Sequence, residues 1–414
     1  MEATVAINIV QTSTYTSGYI RRWLDNIELN YENHTMPPTP PSTFARIPRG
    51  ASARERRGSR QSTLTSDTQT PKATKTLTPE TYRQINLRAS CIFIDNKVII
   101  PPAIDEYIRQ ILGVSSWEDQ VPAPNGIGMQ PLFDEVADKY HRESERLAST
   151  CSLEGDWRHC LYSVMCQMNN RLGQALEINA CEKVWNQHLK PINAILQKRL
   201  AKAGSPGIDP NLVMDTDPDY SESISPSSQS VSTITKCLAI RYYVKTPKPD
   251  ITCALTSAAF TTKHQNLLDE YQACELILSD PYAAESGIRF PFIIAELKAN
   301  SPLTDTQNQA AVGGACILKI LTGLTCQVSS LTTPVELPPA LALCFSIVTE
   351  GPTHELWVHF KCEDAFHMLH LQSWRTTRRD HAQEFVNCLG RIIEWGKGDF
   401  KEHIVKMLDR LPNI

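Results

Sequence analysis

The chain has 414 residues, of which 41% are hydrophobic and 21% charged, a composition typical of a globular protein with a large core. Its formal net charge of −4 excludes a global basic field that would draw the whole protein to nucleic acid, although a local basic patch stays open. The 13 cysteines form no CxxC pair, and the start of the chain lacks the basic and apolar regions of a secretory signal. We therefore expect a reduced intracellular protein, and no membrane partner, because no run approaches about 18 consecutive apolar residues.

Residues 1–77 are predicted to be mostly a disordered tail. A short helix at 18–28 is predicted inside it from four apolar residues at helical spacing: Ile20, Trp23, Leu24 and Ile27. The remainder is rich in Pro, Ser, Thr and Arg and cannot bury enough apolar surface to offset its chain entropy. Its arginines fit a nuclear-import signal or phosphate contacts, and equally a solvated, phosphorylatable tail. Between nucleus and cytoplasm, this basic tail favours the nucleus.

A series of helices is predicted over residues 78 to about 200. The segments TPETYRQINLRAS and PPAIDEYIRQILG each carry a proline at a first helical position. Two longer segments, 130–149 and 156–200, repeat apolar residues at helical spacing. The second of them contains Glu182 and Trp185, which we therefore expect on a helix.

A polar, acidic and flexible loop is predicted at 203–232, and the apolar period changes after it. Six later segments are typical of strands: CLAIRYYV, DITCAL, PFIIAELK, ALALCFSIVT, HELWVHFKC and FHMLHLQS. Further helices are predicted at about 263–279, 304–323 and 377–411. Helices followed by a sheet with helices packed on it predict one α/β domain over 78–414, with a central mixed sheet flanked by helices.

Two acids and a lysine have the spacing of a catalytic site on this sheet. Glu296 and Lys298 are two positions apart in PFIIAELK, so a strand places both side chains on one face. Pro249 and Asp250 open the segment DITCAL, and Asp250 approaches Glu296 if the two strands are neighbours. Two close carboxylates repel each other unless a cation lies between them, and hard oxygen ligands select Mg²⁺ or Mn²⁺. A lysine beside such a cation suits a phosphate oxygen.

These residue types together provide the chemistry for metal-assisted hydrolysis of phosphodiesters. A structural interpretation stays open for each of them. Asp250 could cap a turn after Pro249, and Glu296 with Lys298 could form a surface ion pair at a solvated strand end.

The pattern Pro249-Asp250 followed by Glu296-x-Lys298 resembles the signature of the PD-(D/E)XK nuclease superfamily. NACEKVWNQHLKPI, TQNQAAVGGACILKIL and the terminal IIEWG are similar to segments of a group of nuclease-like proteins from fungi in that superfamily. The resemblance covers roughly residues 80–400. It implies a restriction-endonuclease-like fold and a nuclease activity, most often on DNA.

The resemblance also implies roles for individual residues. The metal, Mg²⁺ or Mn²⁺, would be held by Asp250 and Glu296, with Glu182 and the main-chain carbonyl of Leu297 as further ligands. Glu182 matches an acid that often joins the metal site from a helix before the sheet, but it could equally be a solvated helix residue.

Lys298 would orient the attacking water or stabilise the charge on phosphorus. Gln309 matches a polar residue of the helix after the E-x-K strand and would support the site or the nucleic-acid backbone, unless it only satisfies a nearby main-chain group. Two other functions stay open: a binding or regulatory protein that keeps the nuclease fold without turnover, and a phosphodiesterase for small nucleotides. The sequence predicts no particular protein partner.

Overall fold

A computed structural model describes most of the chain after residue 76. The described residues are 77–95, 98–114, 130–173, 176–181, 183–191, 244–282, 286–299, 301–331 and 338–412. They belong to one compact unit, Thr74–Ile414. The predicted tail with its helix at 18–28, the acidic loop at 203–232 and all but the last residue of CLAIRYYV lie outside the described residues.

The described strands form one mixed seven-stranded sheet, which confirms the predicted α/β class with a central sheet flanked by helices. The strands are β1 (Ile92–Ile94), β2 (Leu176–Asn179), β3 (Ile251–Thr256), β4 (Ile288–Lys298), β5 (Leu343–Glu350), β6 (Thr353–Cys362) and β7 (Ala365–Arg375). Their order across the sheet is β1-β7-β6-β5-β4-β3-β2. β4 pairs in parallel with β5 and β1 with β7, whereas the other neighbours are antiparallel. β4 is buried along its whole length up to Lys298, because helices cover both faces of the sheet.

Eight helices precede, interrupt and follow the strands in the described part of the chain. They are α1 (Pro79–Tyr82, extended by a π-helical turn to Leu87), α2 (Pro102–Leu112), α3 (Gln130–Ser149), α4 (Glu154–Arg171), α5 (Thr262–Ala273), α6 (Leu303–Leu331), α7 (Arg379–Trp395) and α8 (Lys401–Leu408). The predicted starts and ends are confirmed where local signals are strong. The Thr78 hydroxyl accepts the N–H of Thr81 at 3.2 Å and caps α1, and Gly113 ends α2 in the left-handed region with φ 63°.

The two faces of the sheet are covered by different helices. α6 packs closely on one face: a Cβ added to Gly314 would lie 2.2 Å from the ring of His359 on β6. The other face meets the end of α7, where the Trp395 ring contacts Phe292 and Phe345 at centroid distances of 5.7 and 5.6 Å. Side chains alternate between these faces along the regular parts of each strand, but β4 is irregular opposite Cys253 and Ala254, so Phe292 lies on the α7 face although Ile294 lies on the α6 face.

The helix predicted over 156–200 does not continue beyond Arg171 in the described residues. α4 ends at Arg171, Gly173 adopts φ 93°, and residues Leu176–Asn179 form the edge strand β2, which pairs with β3. Leu176 and Ile178 are buried while the residue between them is exposed, which is the period of a strand. Leu176 also follows Leu172 at helical spacing, and pairing with β3 decides between the two periods.

α6 is the one described helix that is long and apolar enough to cross a membrane by length and composition. Its apolar character has a second explanation, because 67% of the apolar 18-residue window within Leu303–Ser330 is buried inside the protein. The helix lies against the central strands of the sheet, where a core helix requires the same residue types.

Candidate active site

Asp250 lies at the start of β3, opposite Glu296 of β4. The two strands are antiparallel and Ile251 pairs with Ala295, so the ladder brings Asp250 and Glu296 to the same level. Oδ2 of Asp250 accepts a hydrogen bond of 2.8 Å from the main-chain N–H of Leu297. The prediction that these two strands are neighbours is therefore confirmed.

Glu296 points from β4 towards α6. It shares a strand face with Ile294, whose side chain lies against α6 at Gly313. Glu296 exposes only 3% of its surface. Burial raises the pKa of its carboxyl well above the usual range, the nearby Asp250 raises it further, and Lys298 partly opposes these effects. The ionised form of Glu296 thus lacks sufficient compensation from the described side chains.

The carboxyl of Asp250 also has a raised pKa, although by less than that of Glu296. Burial raises the pKa of its carboxyl, and the charge of Glu154 adds to this, while the main-chain hydrogen bond and the cations Lys298 and Arg158 lower it. The sum of these effects leaves the pKa of Asp250 above its usual value. Two adjacent carboxyls with raised pKa values form a place where a cation would be stabilised.

Lys298 is charged and lies between carboxylates. Its Nζ donates a hydrogen bond of 2.9 Å to Oε1 of Glu154. Burial lowers the pKa of Lys298, but the hydrogen bond to Glu154 and the charges of Asp250 and Glu296 outweigh burial and raise it. The side chain of Lys298 is 22% exposed, so it lies at the border between the sheet and solvent.

Helix α4 supplies two further charged residues, Glu154 and Arg158, which the sequence analysis missed. The carboxylate of Asp156 accepts the N–H of Leu153 at 2.8 Å, which fixes the first turn and places Glu154 there. Arg158 follows one turn later on the same side of the helix, and its Nη1 lies 3.6 Å from Oδ1 of Asp250. Glu154 thus faces the site lysine and Arg158 faces the site aspartate.

The only local signal for this pair was an acid and a base at i and i+4, which is also the pattern of an ordinary solvated helix face. In addition, the helix was predicted to begin at 156, two residues after its actual start at Glu154. Partners more than 90 positions away along the chain cannot be deduced from either signal.

Glu182, the predicted helix acid, lies outside the described residues. Its described neighbours Cys181 and Lys183 are not helical. The segment that follows is held in place, since the N–H of Trp185 donates to the carbonyl of Pro247 at 2.9 Å and Trp185 bridges to Tyr282. The acid that a helix does bring to the site is Glu154.

Gln309 is half-buried on α6, in the second turn of the helix. The structure therefore brings together three of the four predicted catalytic residues, together with Leu297, whereas no hydrogen bond joins Gln309 to them among the described residues.

Among the described residues, no group of three or more His, Cys, Asp and Glu side chains has a metal-binding arrangement. Two carboxylates, Asp250 and Glu296, meet here, and the third acid predicted as a ligand is not among those residues.

A family described as a domain of unknown function, DUF7924, matches residues 180–408, which is more than half of the chain. The match includes Asp250, Glu296 and Lys298 but not helix α4. No curated protein and no solved structure matches the chain.

Proposed function

The chain belongs to the DUF7924 family, a domain of unknown function, and we propose that it is a nuclease that hydrolyses phosphodiester bonds of DNA with Mg²⁺ or Mn²⁺. The observation that carries the proposal is the position of Asp250 opposite Glu296, with Lys298 two residues further along β4. We also propose that the mixed sheet and its helices form a restriction-endonuclease-like core. The resemblance to PD-(D/E)XK nucleases supports both proposals.

The donor set fits a divalent cation. Carboxylate oxygens are the ligands that Mg²⁺ and Mn²⁺ prefer, and Asp250 and Glu296 supply them from adjacent strands. Four carboxylates interact around two cationic side chains: Asp250, Glu296, Glu154 and Asp305 around Lys298 and Arg158. One divalent ion would balance this excess of negative charge. The Leu297 carbonyl and Glu182 complete the proposed ligand set.

The location of the site within the sheet supports a binding function. Glu296 and Lys298 lie at the carboxyl end of β4, which is parallel to β5 and connected to it through α6. In α/β proteins, ligands are commonly bound beyond the carboxyl ends of such strands.

The chain's own residues then perform defined tasks. A bound divalent ion would supply an activated water and neutralise charge on the phosphate. Asp250 and Glu296 hold that ion, and the sheet fixes their separation. Lys298 keeps its proton beside them and offers a cationic donor to a non-bridging phosphate oxygen, where negative charge increases during the reaction. Glu154 positions the ammonium group of Lys298 through its hydrogen bond.

A second candidate function is a nuclease fold that binds without turnover. The ion pair between Lys298 and Glu154 favours it, because an ammonium group held by a carboxylate at 2.9 Å is less available to a phosphate. The formal charge of −4 also fits a protein without broad affinity for DNA.

Cleavage assays test the proposal directly. Labelled single- and double-stranded DNA and RNA are incubated with the full chain and Mg²⁺, Mn²⁺ or EDTA. We expect cutting that requires the metal and falls by about 100-fold or more in Lys298→Ala, because an electrostatic stabiliser of the transition state is lost. Lys361→Ala is the matched control, since Lys361 lies at the end of β6 and pairs only loosely with Asp364, at 4.0 Å.

Each other result has a defined meaning. Metal-dependent cutting that survives in Lys298→Ala would show that the lysine is not catalytic. A folded wild-type protein that binds Mn²⁺ but cuts none of the substrates would favour the binding function without turnover over the nuclease function.

A further inference from the structure

Arg158 occupies a position beside Asp250 that a metal ion would need. Oδ2 of Asp250 already accepts a hydrogen bond from the main-chain N–H of Leu297, so Oδ1 is the more available oxygen for a cation. Nη1 of Arg158 lies 3.6 Å from this Oδ1. The two side chains are 25% and 12% exposed, so the pair is sheltered but not sealed from water.

The contact has the geometry of a replaceable ion pair. At 3.6 Å it is longer than a hydrogen bond, so the guanidinium balances the charge of Asp250 without a close directional bond. A divalent ion carries twice the charge of Arg158 and binds a carboxylate oxygen at a shorter distance, about 2.1 Å for Mg²⁺. The side chain of Arg158 extends from α4, a different element from the strands that carry Asp250 and Glu296, so its displacement from Asp250 does not require β3 or β4 to move.

We propose that Arg158 is the stand-in cation of the metal-free site and that a divalent metal ion displaces it from Oδ1 of Asp250. This proposal rests on the proposed metal site and adds that Arg158 competes with the metal for Asp250. Arg158 maintains the charge balance of Asp250 in the absence of metal. The metal must displace the guanidinium, and this displacement reduces the net free energy of metal binding. Arg158 therefore sets how tightly the site holds its metal, although it is not itself a ligand.

The test is the affinity of the full-length protein for Mn²⁺, measured by calorimetry and by the electron paramagnetic resonance signal of free Mn²⁺, without nucleic acid. In Arg158→Met the competing cation is gone, so we expect Mn²⁺ to bind at least about 3-fold more tightly than in wild type, on the scale of a partly sheltered ion pair. Arg158→Gln keeps a polar side chain without the charge and should show the same increase. Arg158→Lys keeps the charge and should bind Mn²⁺ as wild type does.

Arg171→Met is the matched control for charge. It removes the same charge from the same helix, but Arg171 pairs with Glu135 and lies 13 residues further along α4, about 20 Å from Arg158 at 1.5 Å per residue. We expect its affinity for Mn²⁺ to equal that of wild type. An increase as large as that in Arg158→Met would assign the effect to net charge and overturn the proposal.

The remaining outcomes separate this proposal from the proposed function. If wild type binds Mn²⁺, Asp250→Asn does not, and the two uncharged Arg158 variants bind it equally well or more weakly, Arg158 is a structural anchor and only this proposal fails. If folded wild-type protein binds no Mn²⁺, the metal-dependent function fails and this proposal fails with it. Thermal unfolding of each variant shows that the fold is retained.

Discussion

Two glutamates on the same face of the sheet have opposite surroundings. Glu296 on β4 and Glu355 on β6 lie in one cross-strand row, because both pair with Val348 of the strand between them. Oε2 of Glu355 accepts hydrogen bonds from Gln307 at 2.9 Å and from the indole of Trp357 at 3.0 Å. Glu296 accepts no hydrogen bond from any described side chain and faces Asp250.

The difference distinguishes a structural carboxylate from one available for chemistry. The network around Glu355 continues through Gln307 to Arg83, which also donates to Asn308. These hydrogen bonds connect α1, α6 and the sheet. Such a fully bonded network fixes elements relative to each other. A buried carboxyl whose charged neighbours are three other carboxyls and one lysine costs stability instead, and a cation would remove that cost.

The largest effect that would break the comparison concerns metal binding. We expect Glu296→Gln to weaken Mn²⁺ binding by more than about 100-fold, because it removes a direct ligand, whereas loss of an indirect one typically costs 10- to 100-fold. Glu355→Gln, on the same face and in the same row, should bind Mn²⁺ as wild type does. Calorimetric titration of both variants decides this, and equal loss in both would mean that the row, rather than Glu296, determines affinity.

The next effect concerns stability, and here we expect Glu355→Gln to have a larger effect than Glu296→Gln. Glu355→Gln breaks hydrogen bonds to a charged acceptor, so we expect the free energy of unfolding to fall by about 1.5–3 kcal/mol. Glu296→Gln should leave metal-free stability unchanged or raise it, since a poorly compensated carboxyl is replaced by a neutral amide. Urea unfolding in EDTA measures both, and a greater loss in Glu296→Gln would contradict the distinction.

The smallest effect concerns pH and a histidine further along the same face. Burial lowers the pKa of His359 to about 3, so the folded protein holds it neutral, with Nε2 2.7 Å from the Ser346 hydroxyl. The unfolded chain takes up a proton near pH 6.5, so stability is full above that pH and falls as pH decreases towards 3. We expect His359 to contribute a loss of about 1.4 kcal/mol between pH 7.5 and 5.5.

Urea unfolding of wild type and His359→Asn at these two pH values measures this contribution. The substitution should flatten the decrease, because asparagine does not titrate. An unchanged pH dependence would assign the loss to other groups.

The sequence predicted the part of the site that strands carry. Alternation in PFIIAELK placed Glu296 and Lys298 on one face, and DITCAL was predicted as a strand with Asp250 at its start, while the pairing of the two strands came from the structure. Both follow from local patterns and from the requirement that a buried strand be covered on both sides.

The part that helix α4 adds could not be predicted in the same way. Glu154 and Arg158 find their partners only after α4 packs against the sheet, and the chain between α4 and β3 contains residues of mixed period. For a similar reason β2 was predicted as helix: Leu176 follows Leu172 at helical spacing, and only the hydrogen bonds with β3 show that it belongs to a strand. Gln309 was assigned by resemblance alone, and its resemblance does not specify a contact.

The hydrogen bond from the N–H of Leu297 to Asp250 has a consequence for observing the site in solution. An amide proton in a sheet normally reports on a neighbouring main-chain carbonyl, but this one reports on a carboxylate. Its chemical shift and its rate of exchange with solvent respond to the charge and position of Asp250. The Leu297 amide is therefore a built-in spectroscopic probe, located beside the proposed metal ligands Asp250 and Glu296.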